Sequence, residues 1–314
     1  CVVKKLVAMG HKVIVFDSFV KYRFSKNRTH CVVEPEERAM DRLREVEDKI
    51  EIIKGNILDF KQFSDKLDEL QPELILHLAG VPLANVAVVD ANIAIDNILI
   101  GTLNMLNVIK DKKYVKRFVY TSSSMTYGNF VKIPADESHP QNPLCNYGTT
   151  KLAGEVLVRG FSNRYGFEHV VIRPSAVYGP GDTNNRVVQI FVENALRGMP
   201  LTVEGSSDSR LDFSYVEDVA DGFCLALLNP NAKNETFNLT NGQGRTLQEL
   251  VDIIKVHVPE VKILQAPPLP FRPLRGALDI SKAKKLLGYN PKHSLELGID
   301  KYIQHLRANG ITKE

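Results

Sequence analysis

A chain of 314 residues with 44% hydrophobic and 25% charged side chains is ordinary for a globular protein and long enough for two lobes around one cleft. Forty basic against thirty-seven acidic residues leave a formal charge of +3 with the signs alternating along the chain, so nothing calls for nucleic acid or an anionic membrane as partner. Cys1, Cys31, Cys145 and Cys224 stand far apart without a CxxC pair, which points to no metal, no disulfide framework and a reducing cytoplasm. Charge or glycine breaks the apolar stretches before ~18 residues, the length of a membrane span, and there is no signal-peptide pattern.

The elements follow in chain order. Val2, Val3, Leu6 and Val7 share one face of a helix that Gly10 stops. His11 to Phe16 is a short β-branched run ending in Asp17, the look of a buried parallel strand. Residues 18 to 49 read as a polar excursion with a helical stretch near Glu34 to Asp48. A regular alternation then sets in: strand Ile50 to Ile53, helix Phe60 to Leu70, strand Leu74 to Leu78, helix Asp90 to Lys110, strand Arg117 to Thr121, helix Tyr147 to Tyr165 and strand Val170 to Ile172. Strands alternating with helices of this length mean βαβ units and a Rossmann-type, doubly wound parallel sheet in an α/β fold. Past Arg173 the elements shorten, with a proline-rich stretch at Pro267 to Pro273 and a last helix near Leu295 to Leu306. Residues 1–173 are therefore expected to form the dinucleotide-binding lobe and residues 174–314 mainly a smaller α/β substrate lobe.

In a doubly wound sheet an acid ending the second strand can bond both ribose hydroxyls of adenosine and repels a 2′-phosphate, so Asp17 favours NAD over NADP. Lys21 and Arg23 lie close by, and Asp17 reads equally as a solvated strand-end aspartate. The glycine-rich turn and first central strand that such a lobe needs do not appear in the sequence. The expectation is that the working protein carries a segment preceding Cys1.

Tyr147-Gly-Thr-Thr-Lys151 places a phenol and an amine one helical turn apart on one face. Before it, the hydroxyl-rich run Thr121-Ser-Ser-Ser-Met-Thr-Tyr-Gly128 follows an apolar strand directly, so both open into one cleft. A phenol with a pKa near ~10 is a poor base, but an ammonium ~4 Å away contributes roughly 4 kcal/mol at an effective dielectric of ~20, enough to lower the phenol pKa by about three. Tyr22-Arg-Phe-Ser-Lys26 shows the same spacing but lacks a preceding hydroxyl-rich strand end, and is taken as chance. In isolation Tyr147 and Lys151 read as an interfacial tyrosine and a solvated lysine; the hydroxyl run and the sheet favour proton transfer.

With these landmarks goes a further set: Gly55-Asn-Ile-Leu-Asp59, His77-Leu-Ala-Gly80, Arg173-Pro-Ser-Ala-Val-Tyr-Gly-Pro180, Asp212-Phe-Ser-Tyr-Val-Glu-Asp218 and Leu278-Asp-Ile-Ser-Lys-Ala283. In this order, over nearly the whole length, the chain resembles the extended short-chain dehydrogenase/reductase family, especially UDP-glucose 4-epimerase and related NAD-dependent nucleotide-sugar epimerases. The resemblance implies that Asn56 and Ile57 contact adenine, that Leu78, Ala79 and Gly80 line the dinucleotide with Thr121, and that Pro174 and Ser175 border the nicotinamide. It makes Ser123 the hydroxyl that bonds the sugar 4-OH, with Tyr147 and Lys151 handling the proton at O4 and Ser124 beside the sugar. It also implies a homodimer pairing the helix near Asn97 to Lys110 with the helix of Tyr147.

Some positions depart from the pattern. Dehydratases of the family carry an Asp-Glu pair directly after the hydroxyl, where this chain has Ser124 and Met125, so elimination is poorly supplied and epimerisation of a UDP-sugar is the better reading. Asn56 replaces a strand acid, Ala176 an asparagine and Leu211 an arginine. Arg210, Arg272 and Arg275 are the candidates for phosphate or sugar contacts, or are surface arginines. Gly276 is expected to leave room for a bulkier sugar substituent. The rival readings are a 4,6-dehydratase or reductase on the same scaffold and a non-catalytic NAD-binding protein.

Overall fold

The computed structural model describes residues 1–25, 28–33, 40–268 and 272–311. Four parallel strands, Leu74–His77, Arg117–Thr121, Glu168–Pro174 and Glu235–Leu239, hydrogen-bond side by side in that order. Val13–Asp17 pairs in parallel with Ile50–Lys54 as a separate two-stranded ribbon. Period-2 alternation sends Phe118, Tyr120 and Val171 to one face, where they pack with Phe63, Leu67, Leu106 and Val158 of three helices. Val119, Val170 and Ile172 go to the other face, against Val219 and Phe223 of the helix Val216–Leu228. Helices covering both faces explain why these strands are continuous apolar runs, and the doubly wound α/β fold is as expected.

The last of the four strands comes from residues 235–239, so the chain beyond Arg173 contributes to this sheet as well as to the separate core of Tyr178, Phe191, Leu201, Ile254, Ile299 and Tyr302. The helix Phe60–Leu70 matches its predicted bounds, because Asp59 caps it by accepting from the Gln62 amide at 2.9 Å and Gln71, at φ 44°, turns the chain out of it.

One expectation is corrected. The polar excursion contains an antiparallel hairpin, Val20–Ser25 with Arg28–Val33, and a 3₁₀ turn at Arg44–Lys49. Of the helix expected near Glu34 to Asp48, residues 34–39 lie outside the described residues. The hairpin holds Tyr22 in a strand, so the Tyr22 spacing is not helical; Lys26 lies outside the described residues. The continuous helix Ala91–Ile109, 19 residues at mean hydropathy 1.3, is long and apolar enough by length and composition to cross a membrane, although Asp96 and Gly101 interrupt its apolar run as expected. Ala94, Ile98, Leu106 and Ile109 are buried in the core, and that packing accounts for its apolar inner face.

Candidate active site

The carboxyl ends of the strands bring the sequence landmarks together. The strand Arg117–Thr121 runs into Ser122 and Ser123, and Ser123 starts the 3₁₀ turn Ser124–Tyr127 by accepting from the Met125 amide at 3.2 Å. Its hydroxyl hydrogen is thereby left for the Tyr147 phenol, with which it hydrogen-bonds. Tyr147 and Lys151 lie in the first turns of the helix Asn146–Tyr165.

The electrostatics differ from the expectation. The Lys151 ammonium, 5% exposed, donates to the backbone carbonyl of Thr121 at 2.7 Å and lies over the Tyr120 ring. Burial pushes its pKa down to about 8, opposed by the Glu155 carboxylate one turn further along. The Tyr147 phenol is held above its ordinary value because burial outweighs the help of the Arg186 guanidinium and the Ser123 hydrogen bond. The predicted drop of about three in the phenol pKa is therefore not what this arrangement produces. The cation acting on the phenol is Arg186, which no spacing in the sequence marks.

Around this pair stands a buried polar network. Arg173 forks onto both oxygens of Glu155 at 2.9 and 2.7 Å and donates to the Tyr127 hydroxyl; Ser122 donates to Glu155 at 2.5 Å. Tyr127 in turn donates to Asn238, whose amide donates to the carbonyls of Ala135 and Asp279. His77 contacts Thr102 through Nε2 at 2.9 Å, and burial drives its pKa down to about 3, so the imidazole beside Lys151 is neutral.

On the cofactor side the described residues fit NAD. Leu78 just past the end of its strand is 51% exposed, the Thr121 hydroxyl is buried without a partner among the described residues, and Gly80 takes φ 142°, where a side chain would be strained and would approach the Lys151 amine. Asp17 ends its strand exposed, with one oxygen accepting from the Phe19 amide at 2.8 Å. Asn56 uses its side-chain oxygen on the Leu58 amide at 2.9 Å, and Ile57 is buried against Gly101. Ala79 is part-buried, as is Pro174, which closes its strand ahead of the buried Ser175.

The three arginines part company. Arg210 is exposed and donates to the Gly244 carbonyl at 3.0 Å, and Arg272 pairs with Glu204 at 2.6 Å. Arg275 reaches the serine run, with its Nη1 at 3.4 Å from the Ser124 hydroxyl. Gly276 leaves no room for substrate: a Cβ there would lie 2.9 Å from the Ile133 side chain, so that expectation is withdrawn. Ala176 sits at φ 39°, a conformation that asparagine, the residue expected there, adopts more readily.

Comparison with known proteins agrees with this geometry. The chain is 31% identical, over 84% of its length and 86% of the relative's, to a Methanocaldococcus jannaschii protein provisionally named as a UDP-glucose 4-epimerase. It is 29% identical, over 97% and 94%, to the UDP-glucose 4-epimerase of Mycolicibacterium smegmatis. The crystal structure of Thermotoga maritima UDP-glucose 4-epimerase with UDP-glucose superposes with a TM-score of 0.85 at 29% identity, covering 98% of this chain and 94% of that one. Residues 1–240 match the model of the NAD dependent epimerase/dehydratase family, and the chain, with NAD as its cofactor, belongs to that family.

Proposed function

We propose that the protein epimerises a nucleoside-diphosphate sugar, a UDP-sugar, at C4 through a transient 4-keto sugar. The observation that carries this reading is the meeting of the Ser123 and Tyr147 hydroxyls beside Lys151, with Ser124 and Met125 following where an eliminating enzyme needs carboxylates. Tyr147 removes the proton from the sugar O4, and Ser123 bonds the same oxygen. Lys151 fixes the helix against Thr121 and supplies positive charge at the site. NAD, when bound, supplies the reversible redox step at C4 and is unchanged over a turnover. Leu78, Ala79, Gly80, Thr121 and Pro174 hold it, with Asp17, Asn56 and Ile57 toward the adenosine end. The 4-keto sugar turns over in the cleft before reduction from its other face.

Residues 1–173 serve mainly the cofactor and 174–314 mainly the substrate. The exposed apolar side chains Ile95 and Ile100 on one helix and Val156 on its neighbour support a homodimer, and the cysteine usage supports a cytoplasmic location. The test is to incubate the protein with UDP-glucose, UDP-galactose and their N-acetyl and uronic-acid relatives and follow products by NMR. C4 epimers are expected; a stable 4-keto-6-deoxy sugar makes the protein a dehydratase. Tyr147→Phe is expected to retain NAD and lose turnover, and undiminished turnover removes the assignment.

A further inference from the structure

We propose that the substrate carries a carboxylate at C6, making it a nucleoside-diphosphate hexuronate, and that Arg275 with Ser124 receives that carboxylate; this rests on the C4-epimerase reading above. Arg275 has no carboxylate partner among the described residues, and its Nε is sealed from solvent without a hydrogen-bond acceptor. Among the described residues its side-chain hydrogen bond is from Nη1 to the Ser124 hydroxyl at 3.4 Å. A desolvated guanidinium is unfavourable unless an anion faces it. The strain shows in a pKa pushed down to about 10 by burial and by the like charge of Arg272. Arg272 is itself neutralised by Glu204, so of this arginine pair Arg275 is left without a counter-charge among the described residues.

Its place selects the anion. Ser124 directly follows Ser123, and Cys145, two residues before Tyr147, lies close enough to Arg275 to influence it electrostatically. Arg275 therefore borders the hydroxyl pair that grips O4. C6 is two bonds from C4, whereas the diphosphate leaves C1 across the ring, so an anion at this point is one carried on C6. A neutral hydroxymethyl at C6 leaves the guanidinium uncompensated, while a carboxylate takes its two-pronged donor geometry, with Ser124 donating a further hydrogen bond.

The test measures affinity and turnover with UDP-glucuronate and UDP-glucose for the unaltered protein, Arg275→Met and Ser124→Ala, with UDP alone as the reference ligand in calorimetry. The unaltered protein is expected to favour UDP-glucuronate, and Arg275→Met to shrink that preference by roughly 10- to 100-fold, the effect of one hydrogen-bonded charge pair. Ser124→Ala should shrink it less. A preference for UDP-glucose overturns the proposal. So does an Arg275→Met variant that loses affinity for UDP and for both sugars equally, which would place the arginine on the diphosphate. Binding is read without turnover, so a protein that prefers UDP-glucuronate but epimerises neither sugar refutes the epimerase reading while leaving the carboxylate site standing.

Discussion

Lys151 donates to the carbonyl of Thr121 at 2.7 Å, tying the helix that carries Tyr147 to the end of the strand that carries the serine run. The bond crosses between two elements, so the lysine is as much a fastening as a charge. The cost of holding it there is visible in its pKa, pushed from 10.5 down to about 8 by burial.

Lys151→Met should therefore slow turnover sharply while raising stability. Folded and unfolded states differ because the folded state disfavours the ammonium, so below pH 8 the full penalty is present, and it fades as pH rises from about 8 to 10.5. Removing the charge gains at most roughly 3 kcal/mol at pH 7, less about 1 kcal/mol for the unpaired Thr121 carbonyl. Urea unfolding at pH 7 and pH 10 checks this: the stability gain of the variant shrinks at the higher pH. Turnover should fall by about 100-fold or more, and a variant that is both active and no more stable contradicts both halves.

The buried pair of Glu155 and Arg173 gives the opposite sign. Both side chains are almost wholly enclosed, and Ser122, Tyr127 and Arg159 are bonded into the same network. Glu155→Gln keeps the shape but leaves the guanidinium buried without a counter-charge, at a cost of about 3–5 kcal/mol. Chemical denaturation measures it, and a loss below about 1 kcal/mol would show that Gln141 or water replaces the carboxylate. Because Glu155 favours the charged form of Lys151, the variant should also lower the pH at which Lys151 loses its proton, seen in the rate of amine acylation against pH.

Much of this fold was legible because period and length agree in the parallel strands and their helices: Phe60–Leu70 and Arg117–Thr121 stand where the apolar pattern put them. The hairpin is masked in the sequence by its charges: Val20-Lys21-Tyr22-Arg23-Phe24 alternates apolar and charged residues, the period of a half-exposed strand, but its composition is that of a solvated loop. At the site, helical spacing put Tyr147 and Lys151 on one face but could not say which partner each would meet, and it left Glu155, one turn further on, unmarked. Thr121 for Lys151, Arg173 for Glu155 and Arg186 near Tyr147 come from other elements, well beyond the reach of helical spacing, and are set by tertiary packing alone.

Gln71 offers a test of local backbone chemistry. It is exposed and ends its helix at φ 44° and ψ 56°, the left-handed conformation that a Cβ disfavours. Gln71→Gly should stabilise the protein by about 0.5–1 kcal/mol after the entropy lost to the more flexible unfolded chain. For a protein of this size that is a rise of roughly 1–3 °C in Tm by calorimetry; a fall in Tm would mean the side chain makes a contact worth more than the strain.

Asp212 shows how the two cores are joined. Its buried carboxylate accepts from the Thr240 hydroxyl and from the amides of Asn241, Gly242 and Leu278, at 3.0 to 3.1 Å, gathering two distant segments on one side chain. Burial outweighs these four donors and pushes the pKa up to about 7. Asp212→Asn should cost about 2–3 kcal/mol, because the amide offers one acceptor and turns an N–H toward a backbone N–H. The pH dependence has a definite sign. With the folded pKa above the unfolded value of 3.8, the folded state holds the proton more tightly, so this group's contribution is greatest below about pH 4 and declines until about pH 7. The asparagine does not titrate, so the gap in Tm between the two proteins should be narrower at pH 8 than at pH 5. A gap that stays constant between pH 5 and pH 8 would mean the four donors hold the carboxylate ionised after all, and that the cradle is built for an anion rather than tolerating one.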